Sequence, residues 1–389
     1  MINRDAKESL LRLSRGFPVV AVTGPRQSGK TTLVRSVFSA KPYVSLEDPD
    51  VRAFAEDDPR AFLATYFDGA IFDEIQRCPD LFSYLQTVID DDPQMGRYVL
   101  TGSQQFGLLS NITQSLAGRV GLVQLLPFSY RELSAVGKGF PHVEAALYRG
   151  AYPPIYDRDV APMDWYPSYV STYLERDLRQ LIQVRDLRAF SLFLRMCAAR
   201  TGQLLNLSSL ANDCGITHNT AKSWISVLEA SYTLFLLQPH HNNFNKRLIK
   251  SPKLYFYDTG LVCWLLGIQN EIQIVTHPLR GSLFETWVVA ELVKGRFNRG
   301  LSSNLHFWRD RSGTEVDVLI EQGENLFPVE IKSGKTLTTD YFSGINKWLD
   351  LAGETAGVAR LVYAGDQEQL RANIQVLPWN AVSELARVI

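Results

Sequence analysis

The sequence predicts an α/β protein: an open parallel sheet in its first third and a smaller α/β module near its end. Three observations carry this. The stretch GPRQSGKTTL, Gly24 to Leu33, follows the apolar run FPVVAVT and fits the phosphate-loop pattern G-x-x-x-x-G-K-[ST] at every defined position. Two more apolar runs, in GAIFDEIQ and RYVLTGSQQF, lead into acidic or hydroxyl residues. Further on, three strand-like runs, LHFWRD, EVDVLIEQ and LFPVEIKSG, bring Asp317, Glu330 and Lys332.

Composition narrows the function classes. A chain of 389 residues is expected to hold two or three domains at ~100–200 residues each. The 40 Lys+Arg against 41 Asp+Glu exclude a general basic coat, so any nucleic-acid site must be a local patch. Cys78, Cys197, Cys214 and Cys263 are scattered with no C-x-x-C pair, which excludes the usual zinc spacings and points to a reduced, cytoplasmic protein. His240 and His241 lack a second ligand pair, so zinc is not expected there either. MINRDAKESLLRL has no signal-peptide core, and no apolar run approaches ~18 residues, so no membrane span is expected.

Phe17–Thr23 reads as a buried parallel strand, and KTTLVRSVF after the loop has helical spacing. Strand, loop and helix in that order make a phosphate site. Gly24 and Gly29 let the backbone approach the anion, and the loop N–H groups and helix N-terminus supply donors and positive dipole. Gly24, Pro25, Arg26, Gln27, Ser28, Gly29, Lys30, Thr31 and Thr32 are therefore the expected cradle for a nucleotide's phosphates. Lys30 is expected to reach the terminal phosphates and Thr31 to ligate Mg²⁺. Asp73 and Glu74 follow a second apolar run, at the strand end where an open α/β sheet binds its ligand. Asp73 is expected in the magnesium shell, and Glu74 to orient or activate water. Thr101, Ser103 and Gln104 end a third run; Thr101 or Ser103 touches the γ-phosphate or water, or simply caps a turn. Arg119 and Arg131 follow. Arg119 either reaches a neighbour's γ-phosphate or pairs with the chain's own acids.

The middle of the chain is helical. WYPSYVSTYLERDLRQLIQ reads as an amphipathic helix with Glu175, Arg176 and Asp177 on one charged turn, an ion-paired clamp. In LNLSSLANDCGITHNTAKSWISVLEASYTLFLLQPH, Ser208 caps a short helix burying Leu210, Ala211 and Cys214, Gly215 makes a turn, and Thr217 caps a second helix. Ala221, Trp224, Ile225 and Leu228 form that helix's buried stripe, and His218, Asn219, Thr220, Lys222 and Ser223 its polar lead. Lys246, Arg247, Lys250 and Lys253 follow with no acid between Glu229 and Asp258. This segment serves as a DNA contact or as a packing or oligomer surface.

GSLFETWVVAELVKG reads as a helix carrying Glu285 and Glu291. Glu330 and Lys332 are two apart on a strand and share a face; if the strand of Asp317 is adjacent, the three groups converge. Glu285, Asp317 and Glu330 are the expected oxygen ligands for Mg²⁺, with Mn²⁺ as a substitute, and Lys332 the group that steadies water or developing charge.

The order VTGPRQSGKTTL, IFDEIQ, LTGSQQF, SLAGR…PFSYREL, then YLERDL and SPKLYFYDTGL, resembles bacterial and archaeal AAA-type P-loop ATPases with a C-terminal domain of long-unassigned function. The resemblance covers nearly the whole chain. The C-terminal D-x(n)-E-x-K pattern resembles the PD-(D/E)xK nuclease superfamily, with Val316 in place of the proline before Asp317. Together they imply an AAA-like ATPase domain (1–135), a helical lid (136–200), a winged helix (201–262) and a restriction-endonuclease-like domain (263–389). The expected function is ATP hydrolysis by Glu74 and Arg119 coupled to action on DNA. A metal-dependent nuclease would use Asp317, Glu330 and Lys332. The rival is an ATP-driven switch or scaffold with an inert nuclease-like domain, and a third reading adds a regulatory protein partner in a toxin–antitoxin or defence role. A homo-oligomer is expected.

Overall fold

The computed structural model describes residues 2–103, 115–174, 186–240 and 250–388. Two compact units are present: Met1–Phe128 with Ala230–Tyr232 and Phe297–Ser302, and Ser129–Glu229 with Thr233–Arg296 and Ser303–Ile389. Among the described residues no helix is long and apolar enough to cross a membrane.

The first unit is built on a parallel sheet of β1 (Val19–Thr23), β2 (Tyr43–Ser45), β3 (Ile71–Asp73), β4 (Tyr98–Gly102) and β5 (Val120–Gln124), in the order β2-β3-β4-β1-β5. Side chains alternate between faces along each strand, so β1 feeds two apolar layers. Val19 and Ala21 pack with Phe62, Phe72 and Leu85, whereas Val20 and Val22 pack with Leu10, Val34 and Val99. This double cover explains the unbroken apolar run of β1. The sequence reading anticipates β1, β3 and β4 but not β2 or β5.

The second unit opens with short helices, among them Val143–Arg149, Pro153–Asp157 and Pro162–Tyr169. The last runs on as a π-helical turn, Val170–Leu174, with Pro167 inside it. The described part of the expected helix is therefore continuous through Leu174, though its last turn is not α-helical. Glu175, Arg176 and Asp177 lie outside the described residues.

Helices Leu207–Asp213 and His218–Ala230 follow, joined through Gly215, whose φ of 64° is a left-handed turn conformation that glycine adopts without strain. Leu210, Ala211, Ala221, Trp224, Ile225 and Leu228 are buried as expected. Thr217 does cap the second helix, accepting from Thr220 N at 3.1 Å. The first helix is capped two residues earlier than expected: Asn206 accepts from Ser209 N at 3.0 Å, leaving Ser208 inside the first turn. Beside these helices lies an antiparallel sheet of β6 (Gln203–Leu204), β7 (Leu234–Leu237) and β8 (Lys253–Phe256), in the order β6-β8-β7.

Helix Arg280–Asn298 leads to a six-stranded sheet. Its strands are β9 (Leu305–Arg309), β10 (Glu315–Gln322), β11 (Asn325–Lys332), β12 (Arg360–Tyr363), β13 (Gln369–Arg371) and β14 (Ile374–Pro378), in the order β13-β14-β12-β11-β10-β9. β9, β10 and β11 form the expected antiparallel meander, and β12 joins β11 in parallel. Helix Ser343–Ala352 puts Trp348 against Trp308, Val316 and Leu319.

Buried Asp258 ties together separate parts of this unit. It caps helix Thr259–Leu265 by accepting from Leu261 N at 2.9 Å. It also accepts from Ala151 N at 2.7 Å and from the Tyr166 hydroxyl at 2.6 Å. We predict that Asp258→Ala, which strands these buried donors, lowers unfolding stability by about 2–4 kcal/mol, and that Asp258→Asn costs less. Denaturant unfolding checks this; parental stability in Asp258→Ala would remove Asp258 as a structural tie.

Candidate functional site

The phosphate loop joins β1 to helix Lys30–Val37. Gly24 has φ 150°, and a Cβ there would lie 2.0 Å from the Leu125 carbonyl oxygen, so only glycine fits. Gly29 is left-handed at φ 92°, and Gln27 takes φ 61°. Pro25, Ser28 and Lys30 are buried, Arg26, Gly29 and Thr31 half-buried, and Gln27 and Thr32 exposed. The Lys30 ammonium curls into the loop, donating to the carbonyls of Gly24 at 2.9 Å and Pro25 at 2.8 Å. Burial pushes its pKa down to about 8, against the pull of Glu74 and Asp73. Ser28 Oγ is buried without a hydrogen-bond partner. A glycine-shaped cradle, a buried ammonium and an orphaned hydroxyl suit a polyphosphate.

Asp73 ends β3, and three hydroxyls donate to its carboxylate. Thr31 donates at 2.9 Å and Tyr43 at 2.7 Å to Oδ2, and Thr101 donates to Oδ1. Thr31 and Asp73 are thus adjacent oxygen donors of the kind magnesium takes. Glu74 is left-handed at φ 56° and half-buried; Ser103 donates to its Oε2 at 3.1 Å, as does Gln76. Gln104 lies outside the described residues. Arg119 pairs with Asp90, with Nη2 to Oδ2 at 2.9 Å. That is the self-paired alternative, but the pair is solvent-exposed, and such pairs hold weakly. Arg131 sits in helix Tyr130–Ser134.

Residues missed by sequence reading also shape the loop. Arg4 donates to the Ser28 and Leu126 carbonyls, each at 2.6 Å. The Tyr232 hydroxyl lies 2.7 Å from Thr23 Oγ1 at the end of β1. Neither carries a signal in sequence, because both act across long separations.

A second cluster forms in the C-terminal sheet. β10 and β11 pair as far as Val318 opposite Val329, and just beyond that pair Asp317 comes beside Lys332, which also reaches Glu330. Between Val316 and Leu319 the β9–β10 register slips by one residue, a bulge at Asp317. Asp317 Oδ2 accepts from Ile331 N at 2.8 Å and lies 3.7 Å from Lys332 Nζ; Lys332 also donates to Glu330 Oε1 at 2.5 Å. Glu330 Oε2 is buried without a partner. Burial and then Asp317 push Glu330 up to about 8, against Lys332.

Glu285 joins the cluster through a residue read otherwise. Lys253 donates to Glu285 Oε1 at 2.9 Å, contacts Glu315, and lies 3.9 Å from Asp317 Oδ1. Its side chain is only 4% exposed, so it is no part of a solvent-facing basic wing. β8 is central in its sheet, and its inward face delivers both Lys253 and Tyr255, whose hydroxyl donates to Glu285 at 2.5 Å. Burial opposes the Lys253 charge, yet Glu285, Asp317 and Glu315 among its neighbours push its pKa well above the ordinary lysine value. Lys250 is exposed, and Lys246 and Arg247 lie outside the described residues. Glu291 accepts from Lys294 and from Tyr130 N, each at 2.8 Å, apart from this cluster. Among the described residues no group of three or more His, Cys, Asp or Glu side chains is arranged to hold a metal ion. Oxygen donors are present at Asp317 and Glu330, but two ammonium groups already share them.

Loop geometry and sheet order define an AAA-type P-loop ATPase fold, and the family model described as an AAA domain matches residues 16–134. Two models described as domains of unknown function, DUF8612 and DUF4143, match 140–272 and 280–382. The chain belongs to the same family as the Mycobacterium tuberculosis protein called "Uncharacterized protein Rv2008c", 33% identical over 339 residues, 86% of this chain and 74% of that protein. "Uncharacterized protein Mb2031c" of Mycobacterium bovis matches with the same identity and coverage. Among solved structures, the Walker-type ATPase PABY2304 of Pyrococcus abyssi aligns with TM-score 0.48 and 15% identity, over 68% of this chain and 96% of its own. AMPPCP-bound DnaA from Aquifex aeolicus aligns with TM-score 0.31 and 14% identity, over 58% of this chain and 85% of its own.

With Lys30 seated in the loop, we predict that Lys30→Ala weakens ATP binding by more than about tenfold, the worth of one charge-assisted contact. Titration with a fluorescent ATP analogue reads this, and unchanged affinity would show that the nucleotide binds elsewhere.

Proposed function

We propose that the protein binds and hydrolyses Mg-ATP and uses that cycle to act on DNA. The observation that supports hydrolysis is the meeting of loop, acid and hydroxyl at the strand ends of one parallel sheet: Lys30, Thr31, Asp73, Glu74 and Ser103. Lys30 would leave the loop carbonyls for the β- and γ-phosphates, and Thr31 and Asp73 would hold magnesium. The ion supplies charge neutralisation on the phosphates. Glu74, steadied by Ser103 and Gln76, would orient the attacking water. Arg119, held by a weak surface pair, is available to a neighbouring subunit's nucleotide in a homo-oligomer.

DNA is supported by the helix pair Leu207–Asp213 and His218–Ala230, read as a winged helix with the β6-β8-β7 sheet. His218, Asn219, Lys222 and Ser223 are exposed on the second helix, the face that such modules present to a groove. The C-terminal domain is read as nuclease-like, from the strand order and the facing of Asp317, Glu330 and Lys332. A second reading makes this domain a DNA- or protein-binding scaffold that does not cut. It is favoured by Lys253, which brings a further positive charge to the carboxylates a catalytic metal would need.

We predict that Glu74→Gln keeps ATP binding and loses turnover, and that Arg119→Ala lowers turnover only at concentrations where the chain self-associates. Steady-state phosphate release across a protein dilution series tests both; full turnover in Glu74→Gln would remove it as the water-orienting acid. Branched, nicked and single-stranded DNA with Mg²⁺ or Mn²⁺, with and without ATP, tests action on DNA. Cleavage that survives Asp317→Ala and Lys332→Ala would belong to another protein. The absence of binding to every DNA form would end the DNA reading.

A further inference from the structure

The acids of the C-terminal cluster come from three elements. Glu285 is on helix Arg280–Asn298, Glu315 and Asp317 are on β10, and Glu330 is on β11. What gathers the first three is one ammonium group, Lys253 Nζ, which lies 2.9 Å from Glu285, touches Glu315 and stands 3.9 Å from Asp317. The position is enforced. Lys253 and Tyr255 are on one face of a central strand, Tyr255 fastens Glu285, and the ammonium rests 5.6 Å over the Phe307 ring. A lysine held this way does for the acids what a small cation does. It bridges carboxylates from separate elements and neutralises them in a buried place.

Its effect on a true cation follows from Coulomb's law. A divalent ion on Asp317 would share that carboxylate with Lys253 on one oxygen and with Lys332 and the Ile331 N–H on the other. Of the paired carboxylates on β10 and β11, Glu330 Oε2 is the buried acceptor without a partner. A site with two adjacent ammonium groups opposes a further positive ion.

We propose that Lys253 is the resident cation of the C-terminal carboxylate centre, and that it keeps divalent metal out for as long as β8 holds it there. The centre then changes state by withdrawal of one side chain, so metal access is coupled to the position of β8 in the sheet it forms with β6 and β7. This rests on reading the cluster as a metal centre of nuclease type. Its test, however, reads metal binding rather than cleavage.

The experiment uses the full-length protein without nucleotide and titrates Mn²⁺, following the free ion by its paramagnetic resonance signal. The parent is compared with Lys253→Met, with Lys253→Met/Glu285→Gln, which removes one charge of each sign and guards against a folding failure, and with Asp317→Asn. Parent and Asp317→Asn are expected to be alike. Both Lys253 variants are expected to gain a site tighter by more than about tenfold, a modest share of the repulsion that one adjacent positive charge exerts at an effective dielectric of ~20. Adding Asp317→Asn to either should abolish the gain. A parent whose Mn²⁺ binding falls on Asp317→Asn would overturn the proposal, because metal would then sit beside Lys253. It is equally overturned if folded Lys253 variants gain no site. ATP turnover, measured in the same preparations, should be unchanged; its loss in the parent would count against the ATPase reading alone.

Discussion

A carboxylate buried within a sheet must be given donors, and the kind of donor decides what else can bind there. The protein meets this constraint twice, in opposite ways. Asp73 is satisfied by the hydroxyls of Thr31, Tyr43 and Thr101. Neutral donors of this kind can turn aside or become ligands themselves, so a cation can take their place. Asp317 is satisfied by a backbone N–H and two nearby ammonium groups. These already supply the positive charge a metal would bring, and they cannot share the site with it cheaply. The first acid is met by neutral donors at short range, and the second is already matched by positive charge.

Much of the phosphate site is legible in the sequence because its chemistry is local. A nine-residue turn carries both glycines, the lysine and the hydroxyls at fixed spacing, and the strand before it is apolar throughout. The acids of β3 and the hydroxyls of β4 follow from one rule, that such sheets bind at the carboxyl ends of their strands. β2 and β5 escape because neither is a continuous buried run: Tyr43 is exposed, and VGLVQ alternates between buried and half-buried positions. Arg4 and Tyr232 escape for another reason. Both have partners more than a hundred residues away, and nothing in local pattern marks a side chain that supports a distant carbonyl or hydroxyl.

The C-terminal cluster is half legible. Strand alternation puts Glu330 and Lys332 on one face, and the meander brings Asp317 beside Lys332. The same alternation in EVD makes Glu315 a member, a signal available and unused. The role of Lys253 is hidden in the sequence because Lys246, Arg247, Lys250 and Lys253 look like one basic run along the chain. Burial divides them. Lys250 is exposed outside a strand, while Lys253 begins a central strand and faces acid. A lysine at the start of KLYF, two residues before a tyrosine, reads better as an inward-facing pair than as a wing.

The segment SPKLYFYDTGL therefore does three things at once. Lys253 and Tyr255 neutralise and fasten Glu285, Leu254 and Phe256 fill the opposite face, and Asp258 caps the next helix while holding Tyr166 and Ala151. Packing alone does not require this. Replacing a buried ion pair with well-packed apolar groups is often neutral or stabilising, so a domain that needed only stability could fill the same space with leucine and phenylalanine. Removing one member of the set is another matter, because it leaves a buried charge unmatched. The cluster is therefore sensitive to the placement of a single strand. A small retreat of β8 uncovers Glu285, Glu315 and Asp317 together, and the charge left behind must be met by protons, by water or by a cation from solution.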